Sequence, residues 1–270
     1  MIILAIVLGL LTVFLFYLFC LGGRTGHSGL QELQNFVYAH RGLHNEKRPE
    51  NSMAAFRAAW EKGYGVELDI HLMRDGNLAV IHDSSLQRVA GEAVDIEDLT
   101  ADDLENYTLL DSREHIPLFS QVLELYRGKA PLIVELKCAR NNVAPLCQAA
   151  CRLLDEYDGL YCMESFDPRV TRWLRKNRPD IIRGQLSENW FHSPAKLPWI
   201  LKFVMTYHIS NLYTRPDFIA YKYCDRKTFG TDICRKFWGV QGVSWTLKSK
   251  AEFDTATEEG WIPIFEGFEV

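Results

Sequence analysis

Seven side chains able to do chemistry stand beside or inside short apolar runs of this 270-residue chain. His40 and Arg41 follow Phe36-Val37-Tyr38-Ala39, and Glu67 and Asp69 lie two apart within Gly65 to Ile70. His82 follows Leu78-Ala79-Val80-Ile81, and Glu135 and Lys137 close the run from Pro131 to Leu136. Taken singly each is a weak signal: a lone histidine after a strand is usually a hydrogen-bonded structural residue, and a Glu-x-Asp pair usually a solvated edge. Glu67, Asp69 and Glu135, however, sit where an unpaired carboxylate is costly to bury, so something positive must compensate them. Residues two apart on a strand share a face, which points Glu67 with Asp69 and Glu135 with Lys137. Three converging carboxylates suit one hard divalent ion, Ca2+ or Mg2+, better than a soft metal. Two histidines beside such a site can act as general acid and base near neutral pH. Arg41 and Lys137 supply the positive charge that a phosphate needs. Hard metal, two histidines and two cations together imply phosphoryl transfer.

These groups need elements to position them. From about Asn35 onward, strand-like runs alternate with amphipathic stretches, a pattern that argues for a parallel sheet covered by helices. Strand candidates continue at Leu160 to Phe166, Asp180 to Gln185, Asp217 to Tyr221 and Val240 to Thr246; helix candidates are Met53 to Lys62, Val143 to Tyr157, Val170 to Lys176 and Ala251 to Glu259. Residues 35–270 approach the roughly 250 typical of a closed (β/α)8 TIM-type barrel, whose chemistry gathers at the C-terminal ends of its strands. That is where His40, Glu67, Asp69, His82 and Glu135 fall. One irregularity stands out. Ile262 to Phe265 is a ninth strand candidate, and the connection from Ile70 to Leu78 is too short for a crossover helix, so one segment is surplus.

Residues 1–23 differ in kind. They carry no charged side chain and are long enough for the roughly 20 residues that cross a bilayer, which predicts a single transmembrane anchor. A cleaved signal peptide would want an early basic residue, a shorter apolar stretch and small residues before the cut. Residues 24–34, opening Arg24-Thr25-Gly26-His27-Ser28-Gly29, read as a short flexible linker. Arg24 directly after the span places the catalytic domain on the cytoplasmic side under the positive-inside rule. Free cysteines push the same way: there are seven, an odd number with no Cys-x-x-Cys pair, which reads as buried thiols rather than a disulfide framework or zinc site. A net charge of −5 without a basic run offers nucleic acid no electrostatic footprint.

The polar residues also form a series of short motifs. Tyr38-Ala39-His40-Arg41-Gly42, Pro49-Glu50-Asn51-Ser52, Glu67-Leu68-Asp69, Arg74-Asp75-Gly76, Ile81-His82-Asp83 and Glu135-Leu136-Lys137 occur in that order. Ser165-Phe166-Asp167-Pro168, Arg183-Gly184-Gln185-Leu186 and Ser244-Trp245-Thr246-Leu247 extend the series along nearly all of the chain after the anchor. In this the sequence resembles the glycerophosphodiester phosphodiesterases. The resemblance implies a phosphatidylinositol-phospholipase-C-like barrel, a divalent metal bound by Glu67, Asp69 and Glu135, His40 and His82 as the acid/base pair, and Arg41 and Lys137 on the phosphate. It implies hydrolysis of a glycerophosphodiester to glycerol 3-phosphate and an alcohol. The attacking oxygen is water or the neighbouring glycerol hydroxyl, which would pass through a cyclic phosphate.

Several positions depart from the family pattern. Ser52 stands where threonine is usual, Met73-Arg74 replaces threonine-lysine, and the chain ends Glu266-Gly267-Phe268-Glu269-Val270 without an aspartate-containing motif. His71 continues the face of Glu67 and Asp69 and reads first as a pocket or structural residue, then as an extra ligand. An insertion at about 84–117, rich in acidic residues, reads as a pocket rim selecting the head group, or else as a solvated loop with a short helix. Aromatic residues between Trp190 and Tyr223 read mainly as core, with the sharper alternative that Trp190, Phe191 and Trp199 form a lip at the lipid interface. Two other functions stay open: a lysophospholipase D cutting the same bond in membrane lysolipids, and a non-catalytic tethered binding module. A binding module has no need of both histidines.

Overall fold

The computed structural model describes residues 1–270. Nine strands form one sheet: β1 (Tyr38–His40), β2 (Gly65–Leu72), β3 (Leu78–Val80), β4 (Leu132–Leu136), β5 (Tyr161–Ser165), β6 (Arg183–Ser187), β7 (Phe218–Lys222), β8 (Gln241–Leu247) and β9 (Trp261–Phe265). Eight of them are parallel and close into a barrel, because β1 pairs with both β2 and β9. The surplus segment is β3. It runs antiparallel to the outer half of β2, pairing Ile70 with Val80 and Leu72 with Leu78, and β9 completes the barrel. β4, β6 and β9 are buried at every residue, as expected of parallel strands covered on both faces.

Helices Met53–Glu61, Val143–Leu154, Pro168–Asn177 and Lys250–Glu258 make crossovers between successive barrel strands. Their apolar faces, including Phe56, Ala59, Leu146, Ala150, Val170 and Leu174, pack with Val66, Leu68, Val134 and Met163 of the strands. A second core fills the barrel floor with Tyr38, Ile133, Phe218, Val243, Ile262 and Ile264. Leu30 and Leu33, on the helix Ser28–Leu33, join that floor, and the Tyr38 hydroxyl donates to the Leu33 carbonyl at 2.9 Å. Where the sequence suggested a flexible linker, residues 24–34 are therefore tied down. Arg24 makes two 2.5 Å bonds to the Asp217 carboxylate, and the apolar floor needs a cover that keeps out water.

The turn after β1 sets the first functional residues. Arg41 (φ 53°) and Gly42 (φ 82°) are both left-handed, and a Cβ at Gly42 would lie 2.9 Å from the Ala55 backbone. Only glycine fits this close approach without strain. Next, Ser52 caps Met53–Glu61: its Oγ accepts from the Ala55 amide at 3.1 Å and donates to the Pro49 carbonyl at 2.7 Å. Ser52→Ala is expected to cost about 1 kcal/mol in urea unfolding, and Ser52→Thr, which keeps the hydroxyl, less than half of that. Equal losses would show that the hydroxyl is not what holds this turn.

The insertion after β3 is packed rather than solvated. Leu86, Val89, Ile96, Leu99, Leu104 and Ile116 form a small core with Met73, Ala79 and Ile81 of the β2–β3 hairpin. Ahead of the barrel, the helix Ile2–Cys20 projects with residues 2–16 exposed, and only its last turn touches the protein.

Candidate active site

The strand register gathers the carboxylates at one level of the barrel mouth. His40 pairs with Glu67, Asp69 with Glu135, and Glu135 with Glu164, across four neighbouring strands. Candidate ligand oxygens of Glu67, Asp69 and Glu135 lie within 4.8 Å of one another, and all three residues are buried. Lys137 reaches over them with Nζ 3.0 Å from Asp69 Oδ1 and 2.9 Å from Glu135 Oε2. Arg41 Nε sits 3.4 Å from Asp69 Oδ2, and Asn51 donates to that oxygen at 2.9 Å. Glu164 completes the group. It is 1% exposed, and its Oε2 has no hydrogen-bond partner.

Electrostatics follow from this crowding. Burial, then Asp69 and Glu135, push the Glu67 carboxyl well up. Burial raises Glu135 to about 7 against the pull of Lys137, and burial with Glu135 raises Glu164 strongly. Burial acts upward on Asp69 too, but Lys137 and Arg41 outweigh it and hold that carboxyl down. Four carboxylates thus face two side-chain cations, and Arg41 is shared with Glu50 at 2.8 Å. The shortfall of two positive charges, the all-oxygen donors and the orphaned Glu164 oxygen fit a hard divalent ion.

Both histidines face the same small cavity of about 40 Å3, together with Arg41, Glu67, Glu135 and Glu164. His40 Nδ1 lies 2.6 Å from Glu266 Oε2, and His82 Nδ1 lies 2.6 Å from Asp83 Oδ1. Burial lowers His40, partly offset by its bond to Glu266; burial and then Lys137 lower His82 to about 4. Near neutral pH both rings are neutral, with Nδ1–H donated to a carboxylate and Nε2 left as an acceptor. His40 and Arg41 also line a wider cleft of about 510 Å3, bounded by Lys222, Tyr223, Trp245, Lys248 and Glu266. The two cavities share His40, Arg41 and Trp245.

With the geometry in place, the comparison with known proteins is direct. The sequence profile of the "Glycerophosphoryl diester phosphodiesterase family" matches residues 40–265. The chain belongs to this family. Its members are phosphoric diester hydrolases. A glycerophosphodiester phosphodiesterase of Caldanaerobacter subterraneus subsp. tengcongensis is 27% identical over 84% of this chain and 92% of its own length. The lysophospholipase D GDPD1 of Rattus norvegicus is 33% identical over 44% of this chain and 40% of its own. Among solved structures, the Oleispira antarctica phosphodiesterase OLEI02445, in complex with the product sn-glycerol-3-phosphate, superposes with a TM-score of 0.72. It covers 90% of this chain and 95% of its own at 20% identity, a likeness of fold.

For this family member the structure gathers His40, Arg41, Glu67, Asp69, His82, Glu135 and Lys137 into one site, with one change of setting. His82 does not end a barrel strand. β2 overshoots the barrel, and the antiparallel β3 brings the chain back so that the Ile81 amide bonds the Asp69 carbonyl at 3.0 Å. His71, on the overshooting part of β2, lines neither cavity. Its Nδ1 lies 2.6 Å from Glu97 Oε1 and its Nε2 3.1 Å from the His82 carbonyl, so it ties the insertion to the segment carrying His82. Residues 84–117 line neither cavity either, and the pocket-rim expectation is replaced by a bracing role. Arg88 bridges Asp83 (2.5 Å) and Glu50 (2.7 Å), linking the His82 and Arg41 sides of the site. The sequence reading missed Glu164, Glu266 and Asn51. Glu164 carries the same signal as Glu135, a carboxylate inside an apolar strand; Glu266 follows a strand as His40 does; Asn51 had no signal beyond its motif.

The Glu266 carboxyl is held to about 2 by its bond to His40 and so is ionised. Glu266→Gln is expected to lower kcat by about 10- to 100-fold, the scale for partners that orient a functional histidine. Because the carboxylate favours the imidazolium, its loss should also move the His40 limb of the kcat/KM profile to lower pH. An unmoved limb would leave Glu266 with a packing role only.

Proposed function

We propose that this chain hydrolyses glycerophosphodiesters to glycerol 3-phosphate and an alcohol, by metal-dependent acid/base catalysis. The observation that carries this reading is that two histidines, each with Nδ1 held by a carboxylate and Nε2 free, flank the cavity that holds the buried carboxylates. Glu67, Asp69 and Glu135 would hold the ion, and Ca2+ or Mg2+ bound there would supply charge neutralisation to the phosphate. Arg41 and Lys137 bind and orient the phosphate. One histidine, neutral, takes the proton from the attacking oxygen at its Nε2; the other, first protonated at Nε2 from solvent as the anionic phosphodiester binds beside it, delivers that proton to the departing alcohol oxygen as the P–O bond breaks. The two rings exchange protonation states and reset through solvent. Glu266 and Asp83 keep each Nδ1 protonated, so that Nε2 remains the reacting atom.

A second reading shares this chemistry and changes the substrate: lysophospholipase D activity on membrane lysolipids. The helix Ile2–Cys20, with a mean hydropathy of 2.9 over its apolar window, favours it, and we read this helix as a single membrane span. The cytoplasmic side is the proposed face. Arg24 is committed to Asp217, so this placement now rests on seven cysteines, all free of disulfides. The deciding assay measures release of choline or ethanolamine from glycerophosphocholine, glycerophosphoethanolamine and lysophosphatidylcholine by the full chain, with and without chelator. Turnover of none of the three would overturn both readings.

A further inference from the structure

The anchor helix does not end in a loose tether. The last carbonyls of a helix lack partners within the helix, and here barrel side chains supply them. Trp238 Nε1 donates to the Leu18 carbonyl at 2.8 Å, Arg215 to those of Phe19 (3.0 Å) and Gly22 (2.8 Å), and Asn211 to that of Leu21 at 3.3 Å. The Tyr17 hydroxyl donates to the Tyr207 carbonyl at 3.3 Å. Cys20 and Leu21 pack with Ile219, Ile233, Cys234 and Val240. The angle and depth of the barrel against the helix are thereby fixed.

The depth follows from helix length. Residues 2–16 stand free of the protein. At 1.5 Å per residue they span about 22 Å, roughly 8 Å short of a hydrocarbon core of about 30 Å. If this helix crosses the bilayer, the foot of the helix and whatever surrounds it must sink into the interface by about that amount. What surrounds it is apolar. Phe203 stacks on Tyr207 at 4.9 Å, and Gly230, next to Phe229, abuts the Tyr17 hydroxyl. Phe237 meets Trp238 edge to face, with ring centroids 5.2 Å apart. Exposure is 71% at Trp199, 66% at Phe237, 62% at Phe229 and 40% at Phe203, far more than folded proteins usually leave for clustered aromatics. Lys196, exposed, and Lys202, half-buried, lie on the same segment as Trp199 and Phe203 and carry the sign of charge that lipid phosphates attract.

We propose that the barrel is seated in the bilayer interface by this collar of Trp199, Phe203, Phe229 and Phe237 around the foot of the helix. The proposal rests on the reading of Ile2–Cys20 as a membrane span. Of the lip suggested by sequence, Trp190 is half-buried against Phe166 at 5.5 Å and Phe191 is exposed, whereas Trp199 belongs to the collar. A short path joins the two. The Trp190 amide donates to Thr206 Oγ1 at 3.0 Å, Thr206 ends the helix that carries Trp199 and Phe203, and Phe166 lines the inner cavity. Seating the collar therefore holds the barrel mouth near the headgroups, where a lysolipid can enter with its acyl chain still in the bilayer. An apolar face lying in an interface is buried about 5–10 Å, which matches the length deficit.

The test uses the full chain in phosphatidylcholine vesicles, with acyl chains brominated near the headgroup end. Flotation reports the span, and the emission difference between wild type and Trp199→Phe reports the collar. The expected result is a chain that floats and a Trp199 contribution that loses roughly half or more of its intensity to the bromolipid, as for an indole at the interface. In a second arm, Phe229→Ser/Phe237→Ser lowers hydrolysis of vesicle-borne lysophosphatidylcholine by about tenfold, on the scale of the apolar area withdrawn from lipid, and leaves soluble glycerophosphocholine unaffected. A chain that floats with Trp199 unquenched, or equal loss on both substrates, overturns the seating alone. A chain that stays at the bottom of the gradient overturns the span, and the seating with it.

Discussion

Excess EDTA is expected to abolish turnover, and Glu67→Gln to lower kcat by about 10³-fold, since a metal neutralising charge in phosphoryl transfer contributes several kcal/mol. The reason lies in the charge balance of the mouth. Glu67, Asp69, Glu135 and Glu164 converge on Lys137 and Arg41; burial opposes ionisation of all four, and three of the carboxyls are raised on balance. A cluster built only for stability would not leave that imbalance. The same argument predicts a second, opposite effect of the substitution. In metal-free protein, Glu67→Gln removes a group whose ionised form burial, Asp69 and Glu135 all oppose, so the thermal midpoint should stay level or rise. Adding Mg2+ or Ca2+ should then stabilise wild type more than the variant, because ligands stabilise the state that binds them. Full activity in EDTA, or a variant as active as wild type, would remove the metal from the mechanism.

His40→Ala and His82→Ala are each expected to lower kcat by about 10²–10⁴-fold while the protein folds and keeps its metal affinity. The geometry separates these roles from those of the carboxylates. Neither Nδ1 faces the cluster: one is committed to Glu266 and the other to Asp83. The nearest approach of either ring to a carboxylate of the cluster is His40 Nε2 to Glu67 Oε2, at 3.8 Å, longer than a hydrogen bond. Metal affinity measured by calorimetry should therefore change little in either variant. The double variant should lose less than the product of the single losses, because groups that act as one unit are not additive. A loss below about tenfold in either single variant would end its acid/base assignment.

The two sides of the site differ in how they are held. His40 is fixed by the barrel itself, through β1 and the residue following β9, whereas His82 depends on the hairpin and the packed insertion behind it. The buried His71–Glu97 contact and the Arg88 bridge brace that second side against the first. This gives residues 84–117 a reason to be packed although they line neither cavity.

The sequence by itself determined the local terms of this protein. Apolar runs broken at regular intervals set the strands, period-two spacing put Glu67 with Asp69 and Glu135 with Lys137, and an uncharged stretch marked the N-terminal helix. Carboxylates inside apolar runs announced a buried charge cluster, because burying them without a partner is costly in any fold that accepts those runs. Only the tertiary structure decided the rest, since it depends on which strand lies next to which. Closure through β1–β9 made β3 the surplus strand and put His82 on a returning hairpin. Register across β4 and β5 brought Glu164 beside Glu135, and closure brought Glu266 to His40, 226 positions away in the chain. The turn of residues 24–34 under the barrel converted an apparent linker into a floor, and the capped end of the N-terminal helix converted an apparent tether into a fixed mount. In each case the deciding contact is between residues distant in sequence, and chain-local periodicity carries no information about such pairs.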